Sequence, residues 1–212
     1  MKAISNKIRF IDLNNSIKTS DVKNDFKNLT IDPYISAGYR RKHISRYILD
    51  TKRNLVKTDH GPLYQSSKYN PVHGDIKREY PEYKPCHEAL KVIETFVDNT
   101  DIQPGEEILV QAQRVTCSYF EEGLPSVENW HQDGTKEIGI LCVSRQNIRG
   151  GTSQFRDFDT KKYVYNDVLK EGQMVIFQDA DFEHRVTPIN IFNPYEIGYR
   201  DVLLLAYPAN RE

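Results

Sequence analysis

The sequence is poor in cysteine and has no long apolar run. Its three cysteines, Cys86, Cys117 and Cys142, are an odd number without close spacing, which excludes a disulfide framework and a zinc knuckle. We therefore expect reduced thiols and a cytoplasmic location. No apolar stretch reaches the ~18 residues of a membrane-spanning helix. Residues 1–16 also lack the apolar region of a signal peptide, so we expect neither a membrane partner nor export.

An excess of charge of one sign is also missing. The 29 basic and 30 acidic residues give a formal net charge of −1, so we expect no nucleic-acid partner. Large rings, by contrast, are frequent: 13 Tyr, 9 Phe and one Trp can build a core although only 38% of the residues are hydrophobic. The length of 212 residues fits a single domain, 1–212.

The strand pattern is concentrated in the second part of the chain. Six β-rich runs with no helical pattern between them favour an antiparallel barrel or sandwich. We predict that residues 107–207 form this β-core as a double-stranded β-helix of the jelly-roll or cupin-like kind. The runs are 107–120, 137–145, 152–157, 162–167, 172–179 and 199–207.

The first part of the chain has a different pattern. The run KIRFIDL (7–13) predicts a strand, and apolar residues at helical spacing predict helices at 20–29 and 86–100. Residues 58–85 are rich in Tyr, Pro, Gly, Asn and Lys and predict an ordered loop with short strands. The predicted architecture is therefore mainly β with flanking helices, in which residues 1–106 form a helical, loop-rich support.

Two histidines and one aspartate have the spacing of metal ligands. Side chains two residues apart on an extended segment point to the same side, so His131 and Asp133 in WHQDG (130–134) can converge on one ion. His184 follows the strand-like run 172–179 and can project from the end of the sheet onto the same ion. Two imidazoles and one carboxylate form the facial triad of non-haem Fe(II) enzymes, which leaves positions open for a co-substrate and O₂.

Arg200 strengthens this interpretation, because a His-X-Asp pair alone is common. It lies in the apolar run YRDVLLLAY (199–207), where a permanent charge is costly unless it is paired. A carboxylate matches the planar guanidinium, and the far carboxylate of 2-oxoglutarate would provide one. The alternative is a structural ion pair with a neighbouring aspartate.

At these residues the sequence resembles a known family, the 2-oxoglutarate/Fe(II)-dependent dioxygenases of the L-isoleucine 4-hydroxylase type, which are bacterial free-amino-acid hydroxylases. The resemblance covers roughly residues 30–207 and is carried mainly by NWHQDG, SRQNIRGGTSQF, GQMVIFQDADFEHRVTPI and YRDVLLLAY. It implies Fe(II), 2-oxoglutarate and O₂, hydroxylation of a free L-amino acid or a close small derivative, and release of succinate and CO₂. By matched motif it implies His131, Asp133 and His184 as metal ligands and Arg200 as the 2-oxoglutarate anchor.

Three further residues are weaker candidates for contact with the substrate. Arg114 could bind the carboxylate of an amino acid or lie on the outer face of the sheet. Because Gln113 and Arg114 alternate along one strand, only one of them can face the cavity. Arg145 could play the same part or hold the adjacent turn, and the turn is favoured. Trp130 could wall the pocket or belong to the core.

A basic run at residues 40–46 has two interpretations. Such a run is usually a solvated face. Because it matches a segment of the family, Arg40 or Arg41 could instead reach the active site.

The sequence fits other functional classes of metal-binding β-barrel less well, because its candidate site residues differ from those that each class usually has. A cupin-like isomerase or hydrolase usually uses more histidines and a glutamate, and a halogenase lacks the carboxylate ligand that Asp133 supplies. A peptidyl-prolyl hydroxylase commonly anchors 2-oxoglutarate with lysine rather than arginine. The remaining alternative is a cupin-like metal-binding barrel without oxygenase activity. The sequence leaves the substrate and the oligomeric state open, with a homodimer as one alternative.

Overall fold

The computed structural model describes residues 2–5 and 7–209, with side chains from residue 7 onward. Within this part of the chain, no helix is long and apolar enough to cross a membrane. Single 3₁₀ turns lie at Phe26–Asn28 and Asp179–Asp181. The elements are β1 (Lys2–Ser5), β2 (Ile8–Asp12), α1 (Thr19–Asp25), β3 (Arg40–Leu49), β4 (Leu55–Thr58), α2 (His87–Asp98), β5 (Glu107–Cys117), β6 (Glu137–Gln146), β7 (Ile148–Gly150), β8 (Ser153–Asp157), β9 (Tyr163–Asp167), β10 (Gln173–Gln178), β11 (Phe182–Val186), β12 (Ile189–Ile191) and β13 (Gly198–Tyr207).

The strands form one large sheet and two small ones. The large sheet has eight strands in the order β1-β2-β10-β6-β13-β5-β3-β4, and every neighbouring pair in it is antiparallel. A three-stranded sheet, β11-β8-β9, and a β12-β7 pair complete the structure. This antiparallel jelly roll confirms the predicted fold class, and α1 and α2 confirm the helices predicted at 20–29 and 86–100.

The N-terminal half contributes more strand than the sequence predicted. Strands β1 to β4 supply half of the large sheet, and β3 pairs directly with β5, so residues 1–106 are not only a helical, loop-rich support. The strand β3 was missed because three of its buried positions are charged. Arg40, Lys42 and Arg46 are all buried, so the run lacks the apolar alternation by which a half-buried strand is recognised.

Side-chain alternation along the central strand β13 assigns neighbouring residues to two different hydrophobic clusters. On β13, Leu203 and Leu205 pack with Phe96 of α2 under the two helices. Val202, one position away, packs with Phe155 of β8 between the large and small sheets. Because the side-chain period of a strand is two, this register decides which residues of β5 and β13 face the helices and which face the cavity between the sheets.

Candidate active site

The structure brings the predicted triad together. His131 and His184 lie opposite each other in an isolated antiparallel bridge, in which each backbone N–H donates to the other's carbonyl, at 3.2 and 2.9 Å. His131 Nε2 lies 3.9 Å from Asp133 Oδ1, and His184 Nε2 lies 3.6 Å from Asp133 Oδ2. Ligand atoms of the three residues all lie within 4.8 Å of one another, so one ion can contact all of them.

Both imidazoles are held in a form suited to metal binding. His131 Nδ1 lies 2.8 Å from the carbonyl oxygen of Asn129. Because that oxygen can only accept, Nδ1 donates to it, and Nε2 is the nitrogen left to face an ion. The His184 ring packs against Phe155 and Phe177, with centroid distances of 6.0 and 5.0 Å. Burial, and then the charge of His131, hold the pKa of His184 well below its usual range, so this imidazole is neutral, as a metal ligand must be.

The segment that carries Asp133 is fixed by the buried Asp179. The carboxylate of Asp179 accepts the backbone N–H groups of Asp133, Gly134 and Thr135 at 2.7–3.1 Å. Burial, and then the charge of Asp133, raise the pKa of Asp179 to about 7, although these N–H groups favour the carboxylate. Gln65 donates from Nε2 to Asp133 Oδ1 at 2.9 Å. The orientation of the Asp133 carboxylate is therefore set by its backbone and by a neighbouring side chain.

Arg200 lines a cavity of about 100 Å³ that also reaches His131, Asp133 and His184. The side chain is only 3% exposed, and its Nε and Nη2 have no hydrogen-bond partner among residues 2–5 and 7–209. A buried guanidinium with unused N–H groups is costly. An incoming carboxylate would satisfy it with two parallel hydrogen bonds.

A larger open groove of about 710 Å³ lies between β3, β4 and α2. Tyr47 and Leu90 are among its lining residues, and its described lining contains neither histidine nor cysteine. The smaller cavity beside the triad is therefore the one with the residues for metal chemistry.

A model of the 2OG-Fe dioxygenase family matches residues 23–206 of the chain. The chain belongs to this family. The dioxygenase is similar to a curated relative, 3(1)-hydroxy-L-isoleucine 4-dioxygenase of Pantoea ananatis (strain AJ13355), with 24% identity over 221 residues that cover 98% of this chain and 86% of the relative.

Two solved structures share the fold of the dioxygenase. A bsmA homologue from Methylobium petroleophilum PM1 has a TM-score of 0.77 and 22% identity, covering 90% of this chain and 81% of that one. IDO from Bacillus thuringiensis has a TM-score of 0.70 and 14% identity, covering 94% of this chain and 92% of that one.

The donor set fits the cofactors that the family uses, which are Fe(II), 2-oxoglutarate and O₂. Two neutral imidazoles and one carboxylate suit non-haem Fe(II), and the group His131, Asp133 and His184 could hold that ion. The unpartnered Nε and Nη2 groups of Arg200 suit the far carboxylate of a dicarboxylic acid.

The structure does not bring Arg114 to the cavity, which corrects the prediction that it contacts the substrate. Its Nε and Nη2 donate to the two carboxylate oxygens of Asp201, at 2.7 Å each, and its guanidinium lies 4.2 Å from the centroid of the Tyr199 ring. The neighbouring Gln113 lines the cavity instead. The reason is the strand register, because Arg114 and Asp201 are cross-strand partners on the helix-covered face.

Trp130 and Arg145 also lie outside the described lining of the cavity. The centroid of the half-buried Trp130 ring lies 4.2 Å from the guanidinium carbon of Arg156 and 4.5 Å from that of Arg185, and the residue is neither core nor pocket wall. Arg145 donates to the carbonyl oxygens of residues 150–151, at 2.6 and 3.2 Å. Arg145 therefore holds the adjacent turn, which is the alternative that we favoured from the sequence.

We expect Arg114→Ala to lower the free energy of unfolding by about 3 kcal/mol, because it leaves the carboxylate of Asp201 buried and unpaired. Asp201 is fully buried, whereas the Arg114 side chain is 18% exposed. Urea denaturation of the variant measures the loss, with Arg149→Ala, at an exposed arginine of β7, as the control. A loss below about 1 kcal/mol, the size of an exposed ion pair, would show that the pair adds little.

Several residues around the site carry no motif and were missed from the sequence. Asp179 and Gln65 are examples, since they act through hydrogen bonds that form only when distant segments meet. The alternatives for the basic run are resolved: Arg40 lines the cavity, whereas Arg41 turns away and donates to the Leu29 carbonyl at 3.3 Å. Strand alternation alone could have assigned the pair to opposite faces.

Proposed function

We propose that the protein is an Fe(II)- and 2-oxoglutarate-dependent hydroxylase of a free L-amino acid or a close small derivative. The observation that carries this proposal is the buried, unpartnered Arg200 in the same cavity as His131, Asp133 and His184. The amino-acid class is supported by the curated relative, whose name specifies a hydroxylated L-isoleucine.

The chain's own residues would position the reactants. When bound, Fe(II) and 2-oxoglutarate supply an oxidative decarboxylation that yields succinate and CO₂ and places one oxygen atom of O₂ in a C–H bond of the substrate. His131, Asp133 and His184 would hold the ion on one face. Arg200 would orient the far carboxylate of 2-oxoglutarate, and apolar lining residues such as Val202 would exclude water from the reacting atoms.

The proposal predicts amino-acid-dependent formation of succinate. The purified protein is supplied with Fe(II), 2-oxoglutarate and O₂ and offered each common L-amino acid in turn. Succinate is measured together with the mass of the amino acid. We expect at least one amino acid to gain the mass of one oxygen atom and to raise the rate of succinate formation.

Two other outcomes are informative. Succinate formation that no amino acid or simple derivative stimulates would contradict the amino-acid class. Iron binding without any turnover of 2-oxoglutarate would favour a cupin-like metal-binding barrel without oxygenase activity.

A further inference from the structure

A second group of buried cations lines the cavity, apart from Arg200. Arg40, Lys42 and Arg78 are 4%, 5% and 2% exposed, and all three line the same cavity as the triad. Arg40 and Lys42 face inward from β3, and Arg78 comes from the 58–85 loop. Glu128 is, among the described lining residues, the one acid other than Asp133. The cavity therefore offers a site for an anion next to a site for a cation.

The two arginines have more hydrogen-bond donors than the surrounding protein uses. Arg40 donates from Nε to the fully buried Asp32 at 2.6 Å, and Arg78 donates from Nη2 to Gln65 Oε1 at 2.7 Å. Arg40 Nη2 and Arg78 Nε are nevertheless buried without any partner in the described part of the chain. Donors of a buried charge are costly to leave unused, and a carboxylate is the group whose geometry matches them.

The charges of these residues also act on one another. Burial, and then the charges of Arg40 and Arg78, lower the pKa of Lys42 to about 7, whereas Asp32 and Glu128 raise it. Lys42 donates from Nζ to Gln111 Oε1 at 2.9 Å. An anion placed beside the cations would relieve this mutual repulsion.

A chain of hydrogen bonds connects this part of the cavity to a metal ligand. Gln65 donates to Asp133 Oδ1 and accepts from both Arg78 and Asn70, the latter at 3.0 Å. Asn70 also donates to Glu128 Oε1 at 3.1 Å. Arg78 and Glu128 are therefore joined by one hydrogen-bond network that begins at Asp133.

We propose that Arg40 and Arg78 bind the α-carboxylate of the substrate and that Glu128 binds its α-ammonium group. This inference rests on the proposed function, because it assigns the amino-acid part of the substrate to named residues. In this assignment Arg200 binds the far carboxylate of 2-oxoglutarate and does not contact the substrate. With both carboxylates in separate sites, the side chain of the amino acid is the part left to approach the metal.

The test is a binding measurement that does not depend on turnover. The common L-amino acids are first screened for the largest rise in Tm of the protein with Fe(II) and 2-oxoglutarate in the absence of O₂. The Kd of that amino acid, of its primary amide and of its des-amino acid is then measured by calorimetry under the same conditions. The variants are Arg78→Met, Glu128→Gln and, as the matched control, Arg41→Met, which lies next to Arg40 on β3 and faces away from the cavity.

We expect Arg78→Met to raise the Kd of the amino acid about 30-fold, which equals about 2 kcal/mol at 1.4 kcal/mol per tenfold change. It should reduce the preference of the wild type for the acid over the amide by about the same factor, because Arg40 remains, and the Kd of 2-oxoglutarate should change less than about threefold. Glu128→Gln should abolish the preference for the amino acid over its des-amino analogue. Arg41→Met should preserve both preferences.

If Arg78 or Glu128 had only a structural role, its substitution would raise the Kd of the amino acid, of the amide and of the des-amino acid by the same factor. The preferences would then be intact, and the assignment would be overturned. The same conclusion would follow if no amino acid bound. Binding with the expected preferences but without turnover would contradict the proposed function and leave the subsite standing. Turnover with unchanged preferences in the variants would contradict the subsite alone.

Discussion

Asp133→Ala is expected to abolish iron binding and all turnover of 2-oxoglutarate while the protein remains folded. Asp133 is the one carboxylate of the ligand group, so its loss leaves two neutral imidazoles, which hold Fe(II) weakly. The backbone of the segment should persist, because Asp179 binds the N–H groups of residues 133–135 rather than the Asp133 side chain. The substitution therefore removes a ligand without removing the support of the loop.

Iron content after reconstitution and dialysis measures the first effect, and succinate formation measures the second. Asp167→Ala, at an exposed aspartate of β9, is the matched control and should retain both properties. If Asp133→Ala kept stoichiometric iron, or a rate within about tenfold of the wild type, the metal would have to lie elsewhere.

Arg200→Met is expected to raise the 2-oxoglutarate concentration for half-maximal rate by about 30-fold or more. Truncating one partner of a buried, hydrogen-bonded charge pair typically costs at least about 2 kcal/mol, which is about 30-fold at 1.4 kcal/mol per tenfold change. Methionine fills much of the same space without the charge. Because Nε and Nη2 of Arg200 have no partners among the described residues, their removal should not destabilise the fold.

Two measurements on the same variant distinguish a 2-oxoglutarate anchor from a metal ligand. Arg200→Met should change the 2-oxoglutarate requirement and leave the iron content unchanged, whereas Arg149→Met, at an exposed arginine of β7, should change neither. An unaltered 2-oxoglutarate requirement in Arg200→Met would mean that another cation binds the far carboxylate.

The sequence could suggest that the triad and Arg200 belong to one site because part of the signal is local. His131 and Asp133 are two residues apart on one extended segment, and Arg200 is a permanent charge within an apolar strand. The structure brings His184 opposite His131, which the sequence could only suggest by placing it after a later strand.

The choice between Gln113 and Arg114 could not be made in this way. It depends on the pairing of β5 with β13, which sets Arg114 opposite Asp201. Without that register, the alternation of one strand shows that one residue faces the cavity but not which one.

The proposed substrate subsite could not be predicted from the sequence for a different reason. The basic pattern of β3 is also typical of a solvated face, and the sequence contains no sign that Arg40 and Lys42 are buried beside an acid from another segment. Arg78 and Gln65 lie in the 58–85 loop, whose position depends on tertiary contacts rather than on periodicity. That these charged residues line one cavity can therefore be recognised only in the folded structure.

The most direct test of the metal and co-substrate site is visible absorption spectroscopy of the protein with Fe(II) and 2-oxoglutarate in the absence of O₂. A keto acid that chelates Fe(II) through its keto and carboxylate oxygens produces a visible charge-transfer band. We expect this band in the wild type, at a higher 2-oxoglutarate concentration in Arg200→Met, and not at all in Asp133→Ala. A wild-type protein without the band, or an equal band in Asp133→Ala, would contradict the assignment of iron to His131, Asp133 and His184.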